Sequence, residues 1–223
     1  MPYNTIGIDG MIDIKIYRQF LEALLAGNKA ECHAITANLL QNPQIPIKEI
    51  YTDLFQQAMY EVGSLWEKNR ISVATEHMAT AIVESLLSLA YPRIFGAAHI
   101  GRRAVISCVA NEYHQIGGKM IADIFELNGW DGYFLGANTP PKDLLNILTE
   151  KQPQILGLSL SIFFNMHNLY RIISIVQSDF PNLPILVGGQ AFLWGGLEIE
   201  NDFRNVRYID SIPGLEQILA EET

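Results

Sequence analysis

The 223-residue chain has only two cysteines, Cys32 and Cys108, at no CxxC or comparable spacing, so it encodes neither a disulfide framework nor a cysteine-built zinc site. No uncharged apolar run approaches the roughly 18 residues of a membrane span. Met1 to Gly10 has no basic segment leading into an apolar one, so secretion is not expected and a cytoplasmic setting is. Basic residues are scarce: 15 Lys and Arg against 24 Asp and Glu give a net charge of −9, which repels phosphate backbones and anionic lipid and speaks against direct nucleic-acid or membrane binding. GxGxxG and GxxxxGK[ST] are missing, and with them the phosphate cradles of dinucleotide and P-loop proteins. No nucleophile stands with a base and no acid/base carboxylate pair is evident, so a sensor or cofactor carrier is expected before an independent catalyst.

What is present is two halves with different hydrophobic periods. From Ile12 to about Ala98 apolar residues recur at helical spacing, as in Ile47, Ile50, Tyr51, Leu54, Phe55, Ala58, Val62, Leu65 and Trp66. Helices are predicted over Ile12–Ala26, Asn28–Gln41, Ile47–Lys68 and Val73–Phe95, broken at Gly27, at Asn42-Pro43 and Pro46, and at Asn69–Ser72, with Ser72 as N-cap. Short connections between four helices make residues 1–100 an antiparallel four-helix bundle.

Residues 101–223 read as α/β. Strands are predicted at Ala104–Ala110, Gly132–Leu135, Ile155–Leu160, Ile185–Val187 and Val206–Ile209. Helices at Ile116–Leu127, Lys142–Lys151, Asn165–Ser178, a short one after Gln190 and a last at Gly214–Ala220 alternate with them. The fold class is thus all-α followed by a doubly wound, five-stranded parallel sheet, flavodoxin- or Rossmann-like, which binds ligands at the carboxyl ends of its strands.

Unusual residues collect at those ends. Glu112 and His114 follow the first strand in Asn111-Glu112-Tyr113-His114-Gln115-Ile116-Gly117, where a neutral imidazole can hold a metal while a carboxylate fixes its other N–H. Ser159 and Ser161 close the third strand, and Gly188 and Gly189 close the fourth. The D/E-x-H-x-x-G loop, the Ser at a strand end and the Gly-Gly pair resemble the cobalamin (vitamin B12) binding domain, with intervals of 41 residues from Gly117 to Ser159 and 26 from Ser161 to Gly188 that fit that pattern. The resemblance implies His114 as the lower axial cobalt ligand, Glu112 as its orienting partner, Ser159 against the buried dimethylbenzimidazole, and Gly188 and Gly189 leaving room for the nucleotide tail. Gly117 is expected to let the following helix approach closely. Ser161 departs from the apolar residue usual there.

In the helical half, Trp66 and the pair Glu76-His77 flank the third connection. This Trp-x9-Glu-His arrangement resembles the helical cap of the cobalamin-dependent photoreceptor group, as does Leu135-Gly136-Ala137-Asn138-Thr139-Pro140 after the second strand. By that resemblance Trp66 packs over the adenosyl group of adenosylcobalamin, Glu76 and His77 contact or surround it, and light or ligand exchange is signalled to an unidentified regulatory protein partner by a conformational or oligomeric change. Glu67 follows Trp66 where the light sensors carry a second histidine. A carboxylate cannot reproduce a bis-imidazole state, so the light chemistry would end with water or with another histidine such as His77 on the cobalt. Met1–Met11 is too short for the DNA-binding module those sensors commonly carry ahead of the cap. Homo-oligomerisation is expected by the same resemblance, with Tyr3–Ile16 and exposed helix faces contributing. Two alternatives stay open: a corrinoid methyl-carrier protein with an open upper face, and a haem- or bilin-binding sensor in which His114 meets a different group.

Overall fold

The computed structural model describes residues 12–96 and 98–221; most of Tyr3–Ile16, read above as contributing to assembly, lies outside them. The chain divides into two compact units, with the division at Arg93 and Ile94. No described helix is long and apolar enough to cross a membrane.

The first unit is helical throughout. Helix α1, Ile14–Leu25, opens on Asp13, whose side chain accepts from the Lys15 N–H. Helix α2, Lys29–Gln41, opens on Asn28, which accepts from the Glu31 N–H. Helix α3 runs without interruption through Ile47–Glu49, a π-helical stretch Ile50–Gln56, and Gln57–Glu67. The sequence pattern gave no sign of the π-helical turns. They present Ile50, Tyr51, Leu54 and Phe55 together to the core, where Phe20 and Tyr51 flank the Phe55 ring at 5.8 and 6.0 Å between centroids. Helix α4, Val73–Leu87, is capped by Ser72 as the sequence predicts, the hydroxyl accepting from the Thr75 N–H, and continues through a 3₁₀ turn, Ser88–Ala90, into Tyr91–Ile94. Arg93 donates to the carbonyls of Leu40 and Ile45 at 3.1 and 3.0 Å, satisfying acceptors at the end of α2 and before α3 that no helical N–H can reach.

The second unit alternates strand and helix: β1 Arg103–Cys108, α5 Ile116–Leu127, β2 Asp131–Phe134, α6 Pro141–Lys151, β3 Ile155–Ser159, α7 Met166–Asp179, β4 Ile185–Gly188, α8 Ile199–Asp202, β5 Val206–Tyr208 and α9 Ile212–Glu221. All neighbouring strands are parallel, in the order β2-β1-β3-β4-β5, so the chain reverses its winding between β1 and β3. In sheets of this order the reversal opens the crevice that receives ligands. One face buries Val105, Leu156, Leu158 and Val187 against Leu144 and Leu148 of α6 and Leu169, Ile172, Ile173 and Val176 of α7. On the other face α5 lies almost on the backbone of the sheet. A Cβ on Gly132 of β2 would stand 2.5 Å from the Ala122 carbonyl, and one on Gly118 would meet Phe134, Ser159 and Cys108 at 3.0, 3.4 and 3.6 Å.

That contact corrects one expectation. Gly117 has no atom within 4 Å of where a Cβ would lie, so the glycine that admits the helix to the sheet is Gly118. The phase of α5 decides this: with the helix starting at Ile116, Gly117 turns outward and Gly118 inward.

Gly189 is irreplaceable for a different reason. Its φ is +116°, and a Cβ there would fall 2.2 Å from the Leu160 carbonyl oxygen, which is itself fixed by the Ala191 N–H. A Gly189→Ala substitution is expected to destabilise the protein by about 3 kcal/mol, while Gly117→Ala stays within about 0.5 kcal/mol of wild type, as read by urea unfolding followed by circular dichroism.

Candidate functional site

The carboxyl ends of the three central strands are level. Cys108 pairs with Ser159, and Ser159 with Gly188, so these three residues form one row across β1, β3 and β4 and share one sheet face, the face on which α5 lies. Small side chains along the row keep the edge low. Past it the chain enters the loops that carry the residues singled out by the sequence.

The loop after β1 turns at Asn111, whose φ is +64°, and delivers Glu112 inward and His114 outward. Glu112 is completely buried; the His114 side chain is 55% exposed, and the two are joined by a 2.6 Å contact between Glu112 Oε1 and His114 Nδ1. Oε1 also accepts from the His114 backbone N–H at 2.9 Å, and Oε2 accepts from the N–H groups of Ser161 and Ile162, both at 2.9 Å. One carboxylate thus gathers four N–H donors from two loops and bridges β1 and β3 at the winding reversal. Burial alone would raise its pKa. The four donors, the His114 ring foremost, outweigh burial and hold it down at about 2. A carboxylate ionised under all ordinary conditions can only accept, so Nδ1 carries the proton of the pair and Nε2 is the ring nitrogen through which a metal would be held.

The adjoining thiol is inert. Cys108 is pushed up to about 12 by burial and by the negative charge of Glu112, and its S–H donates weakly to the His114 carbonyl at 3.7 Å. Ser159 ends β3 half-buried; Ser161 meets the site through its backbone N–H on Glu112. Gly188 ends β4, with the Ile209 carbonyl 3.0 Å from the place of a Cβ. Around this edge stand exposed apolar side chains: Tyr113, Ile162, Phe163, Phe164, Leu193 and Trp194, with Phe164 89% exposed. Sequence reading passed over these, because single aromatics in loops carry no period to register.

In the helical unit, α3 ends at Trp66, half-exposed, and a tight connection closed by Asn69 N–H to the Trp66 carbonyl and Arg70 N–H to the Leu65 carbonyl returns the chain to Ser72. Glu76 and His77 lie in the first turn of α4, so all three predicted residues occur at the same end of the α3–α4 hairpin. Glu76 Oε2 meets His77 Nδ1 at 2.6 Å while Oε1 accepts from Thr80 at 2.9 Å, which fixes the carboxylate between a ring and a hydroxyl. Among the described residues no cluster of three or more His, Cys, Asp or Glu side chains could by itself hold a metal ion. His114 is therefore suited to be a single protein ligand to a metal carried by something else.

Comparison with known proteins decides what that is. Residues 16–91 match a family model described as a B12 binding domain, and residues 102–203 match a second model of the same description. The chain belongs to the B12-binding domain proteins. Its relatives include the HTH-type transcriptional repressor CarH of Myxococcus xanthus, 26% identical over 176 residues that make up 76% of this chain and 57% of that protein. The HTH-type transcriptional repressor CarA of the same organism is 27% identical over 121 residues, 54% of this chain and 41% of that protein. The chain spans about half the length of these curated relatives. The solved monomethylamine corrinoid protein of Methanosarcina barkeri shares the fold, with a TM-score of 0.76 at 15% identity over 94% of this chain and 99% of that one. The expectation of no direct nucleic-acid contact, drawn from net charge, finds no support in relatives named as HTH-type repressors.

In this B12-binding protein the carboxylate of Glu112 is the electrostatic hinge of the second unit. Glu112→Gln places an NH₂ against N–H donors and is expected to destabilise it by about 2–3 kcal/mol at neutral pH. Because the native carboxyl titrates near 2 and the unfolded one near 4.5, that advantage is complete above about pH 4.5 and disappears as pH falls through 2. Urea unfolding of both proteins across that range should show the gap closing on the acid side.

Proposed function

We propose that the protein is a cobalamin-binding sensor in which His114 is the lower axial ligand of the cobalt. The observation that carries this is the buried Glu112 carboxylate holding Nδ1 of a half-exposed His114 at the sheet's winding reversal. Metal-bound histidines need their second nitrogen engaged in this way. The residues present fit a corrin. Ser159 and Gly188 lie side by side on the α5 face, where we place the detached dimethylbenzimidazole tail, and the bare backbone at Gly189 leaves the adjoining strand end without a side chain. Ser161 shares this edge, and Gly117 faces open space beside it. Tyr113, Phe163, Phe164 and Trp194 supply exposed apolar surface of the kind a large macrocycle covers. Haem and bilin, which have no nucleotide tail, leave the Ser159–Gly188 row without a role.

Bound cobalamin supplies a cobalt–carbon bond that light or group exchange breaks. Toward that bond the helical unit offers Trp66, Glu76 and His77, which we assign to the upper ligand, with adenosyl as the group an indole packs well. The sensory reading is favoured over a methyl carrier by the Trp-x9-Glu-His arrangement and by likeness to two repressors rather than to a transferase. A ligand shifts a conformational balance only by binding one arrangement better than another, and upper-face contacts are where such a difference arises when the upper group is lost. The output is a change in assembly or in binding to a regulatory protein partner.

Purified protein mixed in the dark with adenosylcobalamin should take up the pigment with the base-off, His-on absorption spectrum. His114→Ala is expected to lose that spectrum and bind at least tenfold more weakly, the order of effect for removal of a metal ligand or its support. Illumination should then change the spectrum and the oligomeric state measured by size-exclusion chromatography. A spectrum unaltered in His114→Ala would refute the ligand assignment. A spectrum that responds to a methyl-donor protein and not to light would establish the carrier reading instead.

A further inference from the structure

The loop that carries His114 is held from its other side by three asparagines, none of which the ligand assignment requires. Asn111, on that loop, donates its backbone N–H to Asn138 Oδ1 at 2.8 Å. Asn138, on the loop after β2, donates its own backbone N–H to the Glu112 carbonyl at 2.9 Å. Asn165, in the 3₁₀ turn after β3, donates Nδ2 to the Asn111 carbonyl at 3.0 Å. Each of the three βα loops around the winding reversal thus contributes one asparagine to a single laced unit.

The geometry favours asparagine in particular. Asn111 and Asn138 both sit at positive φ, +64° and +52°, a region that asparagine enters more readily than other residues with a Cβ. At Asn138 the left-handed turn lets side chain and backbone reach the same segment, Oδ1 taking the N–H of residue 111 and the amide feeding the carbonyl of residue 112. Glu112 ties this segment to the β3 loop from below through Ser161 and Ile162; the asparagines tie it to the β2 loop and to the 3₁₀ turn.

We infer that Asn111, Asn138 and Asn165 are positioning residues that hold the His114 loop in its ligand-ready form before cobalamin arrives. The cofactor half of this inference rests on the function proposed above; the loop half does not. A preformed loop spares the ordering that binding would otherwise have to impose, so loosening it weakens binding without touching a cofactor contact.

The informative variant is Asn138→Gly, which keeps the left-handed turn free of strain and removes only the Oδ1 acceptor, with Asn138→Asp as the variant that restores it. In the ligand-free protein, hydrogen exchange at the His114 N–H is expected to accelerate about 3- to 10-fold in Asn138→Gly and to return to the wild-type rate in Asn138→Asp, the range for loss of one net hydrogen bond. Cobalamin affinity should fall by a similar factor and recover in the same variant, with the His-on spectrum of the bound fraction unchanged. Unaltered exchange in Asn138→Gly would overturn the inference. Faster exchange with unaltered affinity would overturn its cofactor half. Failure of the wild-type protein to take up cobalamin would strike the proposed function alone, since the exchange measurement needs no cofactor.

Discussion

A carboxylate withdrawn from water survives as an anion only if donors replace the water, and Glu112 meets that condition with four N–H groups converging on its two oxygens. The rest of the site depends on this. The same four contacts that keep the charge buried also decide which nitrogen of His114 carries the proton, which way the ring faces, and how far apart the loops after β1 and β3 stand. None of these can change independently, because any of them left alone would strand either a charge or a donor in the interior. The anion is a structural element first, and the imidazole is presented to solvent as a result.

Much of this was legible in the sequence. The change from a helical period to alternating strand and helix separates the two units, and the strands fall where short apolar runs stand between turn residues. Glu112, His114, Ser159 and Gly188 follow from knowing that parallel sheets gather ligands at their carboxyl ends. Capping was also visible at Ser72, because a hydroxyl before an apolar run has a local cause.

What escaped had no local cause. Whether Gly117 or Gly118 meets the sheet depends on where α5 begins, and a one-residue difference in helix start exchanges the outward and inward positions. Asn111, Asn138 and Asn165 are far apart in the chain and become neighbours only once the strand order is known. The four-donor environment of Glu112 was half visible: a carboxylate two residues before a histidine is a local motif, but the two N–H groups from the β3 loop come from about fifty positions away. Asparagine at a strand end is the one cue that pointed toward the lacing, since it tolerates the left-handed turn that such loops need.

The π-helical stretch Ile50–Gln56 bears on how the helical unit carries its indole. Each residue added to a helix beyond the α repeat swings everything downstream around the axis by roughly 100°. The compass bearing of Trp66 is therefore set ten residues upstream, by the wide turns that seat Tyr51 and Phe55 in the core. Relatives that tighten those turns by a single deletion would keep the same helix and the same tryptophan yet aim it a quarter-turn or more away.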